Sequence, residues 1–284
     1  MQPICGRVMF LGTALVGALV CADAQWLNHP DPKIPRTRDG KPNLSAPAPR
    51  ASNGKPDLSG MWATDPTPRS EMERLYGALG TFAVPGDDPL EFNKYMINIM
   101  GDFKPGDDPI RPEFAPLLKR RSEDRAAQEN PTTRCLPMGV PWVYGIPDPY
   151  KMVQTPGLTL MMFEGEPVRQ IFTDGRKHSK DPEPSWYGYS IGKWESDALV
   201  VDSVGFNDRT WLDAFGHPHS EALHIVERFR RRDFGHMDLQ VTLEDPTMYT
   251  KPVTVRYTQT LVPDTNLLEY VCTENERDRA HLPN

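Results

Sequence analysis

The stretch Val-Thr-Val-Arg-Tyr-Thr-Gln-Thr-Leu at residues 253–261 alternates apolar and polar side chains from end to end. Successive side chains of a β-strand point to opposite faces, so this alternation predicts a strand with one buried face. Eight more short runs, rich in β-branched or aromatic residues and separated by turns, lie at 151–154, 158–163, 169–173, 186–194, 198–203, 223–231, 237–244 and 268–272. The pattern predicts a mainly β fold, an antiparallel meander that forms a lipocalin-like barrel or a sandwich.

Outside this meander, the composition limits the fold and divides the chain. The 30 prolines among 284 residues exclude an all-helical bundle and a coiled coil, because proline breaks helices. The net charge of −7 is spread along the chain, which argues against a nucleic-acid partner. We assign residues 1–24 to a signal peptide, 25–68 to a proline-rich extended arm, 69–134 to a partly helical segment and 135–284 to the β domain.

The first 24 residues have the pattern of an export signal. Arg7 precedes an apolar run at 8–22, and Ala-Asp-Ala at 22–24 supplies a cleavage site. The run is shorter than the roughly 20 residues that span a bilayer. We therefore expect an exported protein, in the periplasm or the medium, without a stable membrane anchor after cleavage. A retained anchor and lipidation of Cys21 are the alternatives.

Export gives the cysteines a structural role. After cleavage the chain keeps Cys135 and Cys272 of its four cysteines. Two cysteines in an oxidising compartment most simply pair with each other, so we predict a disulfide between them rather than a catalytic thiol.

The segments before the β domain carry a repeat and two helical patterns. Asp-Gly-Lys-Pro-Asn-Leu-Ser at 39–45 is matched by Asn-Gly-Lys-Pro-Asp-Leu-Ser at 53–59, each with turn residues followed by one apolar anchor. This favours an arm laid on the surface of the domain over a disordered linker. Apolar residues at helical spacing predict helices over 70–79 and 112–129.

Several segments together resemble a family of secreted bacterial β-rich proteins. The matching stretches are GKPDLSGMW at 54–62, CLPMGVP at 135–141, TDGRKH at 173–178, GYSIGKWE at 188–195, LVVD at 199–202, GFND at 205–208, HSEALHIVERF at 219–229 and EDP at 244–246. The chain departs from the family pattern at Ser196, where a glycine is expected in a turn. The resemblance implies export and a β-rich fold, and it implies no activity.

Gly-Tyr-Ser-Ile-Gly at 188–192 matches the spelling of the nucleophile elbow of serine hydrolases. An elbow needs a helix directly after the serine, whereas the residues that follow Ser190 read as a turn and another strand. We therefore interpret Ser190 and its flanking glycines as small residues of a curved strand.

The histidines provide the best candidates for chemistry. His217, His219 and His224 form an H-x-H-x4-H pattern that could hold a metal ion, but the glutamate of a cupin motif is missing. The alternative is acid–base chemistry, because an imidazole titrates near neutral pH and a neighbouring carboxylate fixes its tautomer. The candidate catalytic residues are His217, His219, His224, Asp174, Arg176, His178 and Glu227.

Aromatic side chains are dense in the same half of the chain. We expect substrate contacts from Trp186, Tyr187, Tyr189, Trp194 and Trp211. The leading hypothesis is an exported enzyme with metal-independent lyase or isomerase activity on a small apolar or aromatic molecule in a barrel cavity, without a cofactor. The alternatives are a non-catalytic lipocalin-like binding protein and a histidine-ligated metalloenzyme.

Overall fold

A computed structural model describes residues 30–77, 93–104, 106–123 and 129–274. The predicted signal peptide at 1–24 lies outside these ranges. Nine strands form a closed barrel in which each strand is hydrogen-bonded to the next and the first pairs with the last. They are β1 (Gly60–Thr64), β2 (Tyr150–Thr155), β3 (Leu158–Phe163), β4 (Arg169–Phe172), β5 (Tyr189–Glu195), β6 (Ala198–Val204), β7 (His224–Arg231), β8 (His236–Glu244) and β9 (Val253–Leu261).

The mainly β barrel fold predicted from the sequence is confirmed, and eight of the predicted strands correspond to β2–β9. The ninth predicted run, 268–272, is not a strand. The ring is instead closed by β1, which comes from the range assigned to the arm and pairs with β2 and β9. The barrel therefore contains residues 60–64 as well as strands from the β domain assigned to 135–284.

One strand pair departs from the predicted antiparallel pattern. Strands β4 and β5 are parallel, and only two pairs of residues are in register, Ile171 with Ser190 and Phe172 with Ile191. Parallel strands cannot be joined by a tight hairpin. The connection over 173–188 therefore crosses from one end of the barrel to the other. Its prolines at 182 and 184 are compatible with a segment that forms no β-sheet hydrogen-bond ladder.

Short helices lie outside the barrel wall or close its end. They are α1 (Arg69–Tyr76), α2 (Lys94–Ile97), α3 (Ala115–Glu123) and α4 (Trp142–Gly145), with single 3-10 turns at Pro112–Phe114 and Pro131–Arg134. The helices predicted over 70–79 and 112–129 correspond to α1 and to the 3-10 turn with α3; residues 78–79 and 124–128 are outside the described ranges. Within the described ranges, no helix is both apolar and long enough to cross a bilayer.

The barrel interior is filled by side chains. Every second residue of each strand points inward, and most of these residues are fully buried. Helix α4 places Tyr144 in the barrel end, where its ring lies 6.0 Å from the rings of Tyr150 and Tyr257 and 6.2 Å from that of Phe163. Burial of each large apolar side chain stabilises the fold by about 1.5–3 kcal/mol. The interior is thus a packed core.

The two copies of the sequence repeat, 39–45 and 53–59, adopt the same turn. A backbone N–H just before each copy donates to a carbonyl within it, from Thr37 to Lys41 at 2.9 Å and from Ala51 to Lys55 at 2.8 Å. The leucine of the second copy, Leu58, is fully buried in the core. The extent of an arm over the whole of 25–68 stays a prediction.

Arg231 binds the second copy of the repeat to the barrel. Its guanidinium donates to the carbonyls of Asp57, Ser59 and Phe234, and it lies 4.9 Å from the ring centre of Trp62. Burial lowers the pKa of Arg231 to about 10, which the charges of nearby acidic groups oppose. The three backbone carbonyls thus replace most of the water molecules that would hydrate this guanidinium at the surface.

The turn between β5 and β6 explains the expectation of glycine at Ser196. Ser196 has a φ of 53°, in the left-handed region that glycine adopts more easily than other residues. The same turn also holds the second copy of the repeat, because Lys55 donates to the carbonyl of Ser196 at 3.3 Å. Asp197 forms a bidentate ion pair at 2.9 and 3.1 Å with Arg50, which lies just before that copy.

Cys135 and Cys272 form the predicted disulfide, with 5.7 Å between their Cα atoms and a sequence separation of 137. Cross-linking so long a loop restricts the unfolded chain. We expect the double substitution Cys135→Ser and Cys272→Ser to lower the free energy of unfolding by about 2–5 kcal/mol, measured by urea denaturation. Wild-type protein in reductant is the control and should unfold at the same midpoint as the variant. Two titratable thiols in the denatured, unreduced wild type would contradict the assignment.

Candidate functional site

The structure separates the predicted catalytic residues into three places. Asp174, Arg176, His178 and His224 lie on the outer wall of the barrel; His217 and His219 lie in a buried loop; Glu227 lies in the barrel interior. The first group joins residues 174–178 with His224, so these two parts of the chain meet on the outer wall.

Strand alternation brings the outer group together. Residues 202 of β6, 224 of β7 and 244 of β8 all face outward, and His224 is in register with Glu244. His178 arrives from the connection between β4 and β5. We call His178, Asp202, His224 and Glu244 the outer-wall cluster.

Two imidazoles in this cluster share one carboxylate oxygen. Asp202 Oδ1 lies 2.8 Å from His178 Nε2 and 3.3 Å from His224 Nε2. The two nitrogens are therefore no more than about 6 Å apart. A carboxylate oxygen only accepts, so the Nε2 of His178, which is hydrogen-bonded to it, carries a proton.

His224 also has a carboxylate on its other side, because its Nδ1 lies 3.5 Å from Glu244 Oε2. The side chain of His224 is 34% exposed, so solvent reaches it. His178 is less exposed, and its Nδ1 is buried without a hydrogen-bond partner among the described residues.

Asp174, Arg176 and Tyr189 extend the cluster along the wall. Arg176 pairs with Asp174, donates to the Tyr189 hydroxyl at 3.0 Å and lies 3.8 Å from the ring centre of Phe172. The hydrogen bonds from Arg176 lower the pKa of Asp174. The ring of Tyr189 is 6.1 Å from that of His178. A guanidinium and a phenol thus lie beside the histidines.

His217 and His219 belong to the loop between β6 and β7, and both are 2% exposed. His217 Nδ1 lies 2.6 Å from Asp213 Oδ2, and Asp213 also accepts from the backbone N–H groups of Ile99 and Gly216. This carboxylate holds the loop to residue 99, which is a structural role.

The hydrogen bonds of His219 define its tautomer. Its Nδ1 lies 3.2 Å from the carbonyl of Ser220, which only accepts, so Nδ1 carries the proton. Its Nε2 then accepts from the Thr210 hydroxyl at 2.6 Å. Burial lowers the pKa of His219 and favours this neutral form.

Glu227 forms an ion pair with Arg169 in the interior, where both are essentially inaccessible to solvent. The Glu227 carboxylate also accepts from the Tyr144 hydroxyl at 2.6 Å, and Arg169 donates to the hydroxyls of Ser190 and Ser203. Burial alone would lower the pKa of Arg169, but the negative charge of Glu227 outweighs burial and raises it. Burial, together with the same negative charge, raises the pKa of Tyr144. We call these five residues the interior polar network.

Ser190 is part of this network and is 1% exposed in a strand that continues to residue 195. No helix follows it. The glycines at 188 and 192 are needed for close packing, since a Cβ at Gly192 would lie 2.8 Å from Thr173 and one at Gly188 would lie 2.8 Å from the carbonyl of Val204. The interpretation as a curved strand agrees with this arrangement.

The predicted substrate-binding aromatics are dispersed. Tyr189 belongs beside the outer-wall cluster; Tyr187 donates to Glu166 at 2.8 Å; Trp211 stacks on Trp142. Trp186 and Trp194 are half-buried and pack against the core.

Four polar residues of these sites were not predicted from the sequence. Asp202 and Glu244 complete the outer-wall cluster, Arg169 pairs with Glu227, and Glu166 has a pKa that burial raises although Tyr187 and a backbone N–H oppose it. Outward alternation in β6 and β8 could have indicated Asp202 and Glu244. The sequence does not indicate Arg169 in this way, because a charged residue at an inward position interrupts the alternation of apolar and polar residues.

Among the described residues, no group of three or more His, Cys, Asp or Glu side chains has an arrangement that could hold a metal ion. The three histidines of the H-x-H-x4-H pattern point to separate partners. Comparison of the chain with protein families, curated proteins and solved structures found no match.

The buried neutral state of His219 predicts a pH-dependent stability. Its pKa in the folded protein lies below the ordinary 6.5 of the unfolded chain, so the unfolded state binds more protons at acid pH. Stability should therefore fall as the pH drops through 6.5. Between about pH 7.5 and pH 5.5, wild type should lose more unfolding free energy than His219→Gln, measured by urea denaturation at both pH values. Equal losses in the two proteins would contradict this assignment.

The interior ion pair predicts strong coupling between its two members. Glu227→Leu leaves a buried guanidinium without its carboxylate and should reduce the free energy of unfolding by about 3–5 kcal/mol. Arg169→Met should have a similar effect. The double variant should lose less than the two single losses combined, with a coupling energy of about 0.5–3 kcal/mol in a urea-denaturation cycle. Additive losses would show that the pair acts as two independent residues.

Proposed function

We propose that this protein is an exported enzyme that carries out metal-independent acid–base chemistry, as a lyase or isomerase, at the outer-wall cluster. The observation that carries the proposal is that one oxygen of Asp202 is hydrogen-bonded to His178 at 2.8 Å and lies within ion-pair distance of His224, at 3.3 Å. Such an arrangement fixes two imidazoles relative to each other, and imidazoles are the side chains that most often transfer protons near neutral pH.

In this proposal His224 is the proton-transferring residue. It is the more exposed of the two histidines, and carboxylate oxygens of Asp202 and Glu244 lie on both sides of its ring. Asp202 orients its ring. His178 is a positioning residue, because its hydrogen bond to Asp202 fixes the carboxylate that His224 uses.

Arg176 and Tyr189 provide the means to bind an anionic oxygen. A guanidinium can stabilise the negative charge that develops on a carbonyl oxygen when a neighbouring carbon loses a proton. The rings of Phe172 and Tyr189 stack at 5.3 Å and offer an apolar surface beside it. These features suit a small apolar or aromatic molecule with a carbonyl group.

The outer wall is a better location for this chemistry than the barrel axis. The interior positions of the strands hold fully buried side chains and a polar network whose members satisfy one another. A ligand bound inside, as in a lipocalin, would have to displace them. The proposal therefore moves the expected site from a barrel cavity to the wall.

Export is part of the proposal. The disulfide supports it, because such bonds persist in oxidising compartments and are rare in the cytosol. The signal-like pattern at 1–24 is the second support.

Deuterium exchange tests the proposal at the level of reaction class. A panel of 2-oxo acids, aldehydes and aryl ketones is incubated with the protein in D2O, and loss of the proton signal next to each carbonyl is followed by NMR. Wild type should accelerate exchange for at least one compound. His224→Ala should reduce that rate by about 10²-fold or more, the usual contribution of a general acid or base.

The control is His236→Ala. His236 is also about one-third exposed and also pairs with a carboxylate, Asp233 at 2.7 Å, but it lies outside the cluster. This variant should retain the wild-type rate. Exchange no faster than in buffer for every compound, or full activity of His224→Ala, would overturn the proposal.

A further inference from the structure

A second site lies on the outer wall, away from the histidines. An open cavity of about 550 Å³ lies between the outward faces of β7–β9, the start of α1 and the first residues of α2. Its volume is within the range of small-molecule sites, about 300–1,000 Å³.

Arginines dominate one wall of this cavity. Arg228, Gln240 and Arg256 are register partners across β7, β8 and β9, so their side chains form one row. Arg230 lies two residues further along β7 on the same face. Neighbouring strands are about 4.8 Å apart, which places the two arginines of the row within about 10 Å of each other.

The acidic groups at this cavity are already engaged. Glu71 pairs with Lys94 at 2.8 Å, and Asp65 accepts from the hydroxyl of Thr260 at 2.6 Å. Asp238, the register partner of Arg230, pairs instead with Arg232 at 3.3 Å. Two of these three carboxylates are thus paired with other cations, whereas Asp65 is bound by a neutral hydroxyl and keeps its charge.

Two of the three arginines in this wall have no carboxylate partner among the described residues. Arg228 is paired with Glu195 at 2.8 Å. Arg230 and Arg256 make no side-chain hydrogen bond or ion pair with any residue in the described part of the chain. Two exposed guanidiniums over one cavity, in a protein with a net charge of −7, form a local site for an anion.

The rest of the lining is less polar. Pro66 and Pro68, which are exposed, line the cavity on the side of α1. We propose that this cavity binds a small organic anion, with its carboxylate or phosphate held by Arg230 and Arg256 and its apolar body against Pro66 and Pro68.

This site does not depend on the proposed catalysis. His224 and Arg228 lie on the same face of β7 but four residues apart, which is about 13 Å along a strand. Anion binding and proton transfer can therefore be measured separately, and failure of one would leave the other standing.

The probes are benzoate, phenyl phosphate and the neutral isostere benzamide, titrated into the full-length protein by calorimetry at low salt. Wild type should bind at least one anion and bind benzamide at least about tenfold more weakly. Arg256→Gln and Arg230→Gln should each weaken anion binding by about tenfold or more. The preferred anion tells a carboxylate site from a phosphate site.

Arg38→Gln is the matched control, because Arg38 is exposed directly before the first copy of the repeat and is not part of the cavity lining. It should bind like wild type. Thermal unfolding of each variant checks that the barrel is intact. The proposal is overturned if wild type binds neither anion at about 10 mM, if benzamide binds equally well, or if both cavity variants bind like Arg38→Gln.

Discussion

The ion pair between Arg169 and Glu227 is the interaction on which the barrel depends. The parallel seam between β4 and β5 has only two register pairs, so its backbone ladder is short. Arg169 reaches from β4 across this seam to Ser190 on β5, Ser203 on β6 and Glu227 on β7. A charged side chain in the core requires such complete hydrogen bonding, because burial without it is costly. The interior polar network thus joins the strands where backbone pairing is weakest.

This interior arrangement explains the location of the candidate sites. With Tyr144 in the barrel end and the core filled, the residues that can meet a ligand are those on the outward face of the strands. The same alternation that buries Glu227 points His224 and Arg228 outward on β7. One strand therefore contributes to the core, to the outer-wall cluster and to the arginine cavity.

Sequence patterns predicted most of this barrel because period-two alternation is a local property. Strand β1 was missed since its five residues follow a proline-rich stretch and are too short to show a period. The apolar run at 268–272 looked like a strand, yet Tyr270 and Val271 are exposed, and the chain there is tied down by the disulfide. The parallel seam could not be predicted, because pairing direction depends on how the connection at 173–188 runs.

The candidate site was also predicted only in part. His178, Arg176, Asp174 and His224 were selected by residue type, and the barrel places them on one wall. The spacing of His217, His219 and His224 suggested a shared site. This spacing did not indicate that His217 and His219 bond to Asp213 and Thr210, respectively, inside a loop. Which neighbour a histidine finds is set by tertiary contacts that spacing does not encode.

The central claim is that the reactive surface of this protein is the outer wall. Modification of the histidines of the native protein by diethyl pyrocarbonate, located by mass spectrometry, tests it most directly. We predict rapid modification of His224, which is 34% exposed, and modification of His217 and His219, each 2% exposed, only after unfolding. Modification of His217 and His219 in the native protein at the rate of His224 would contradict the account.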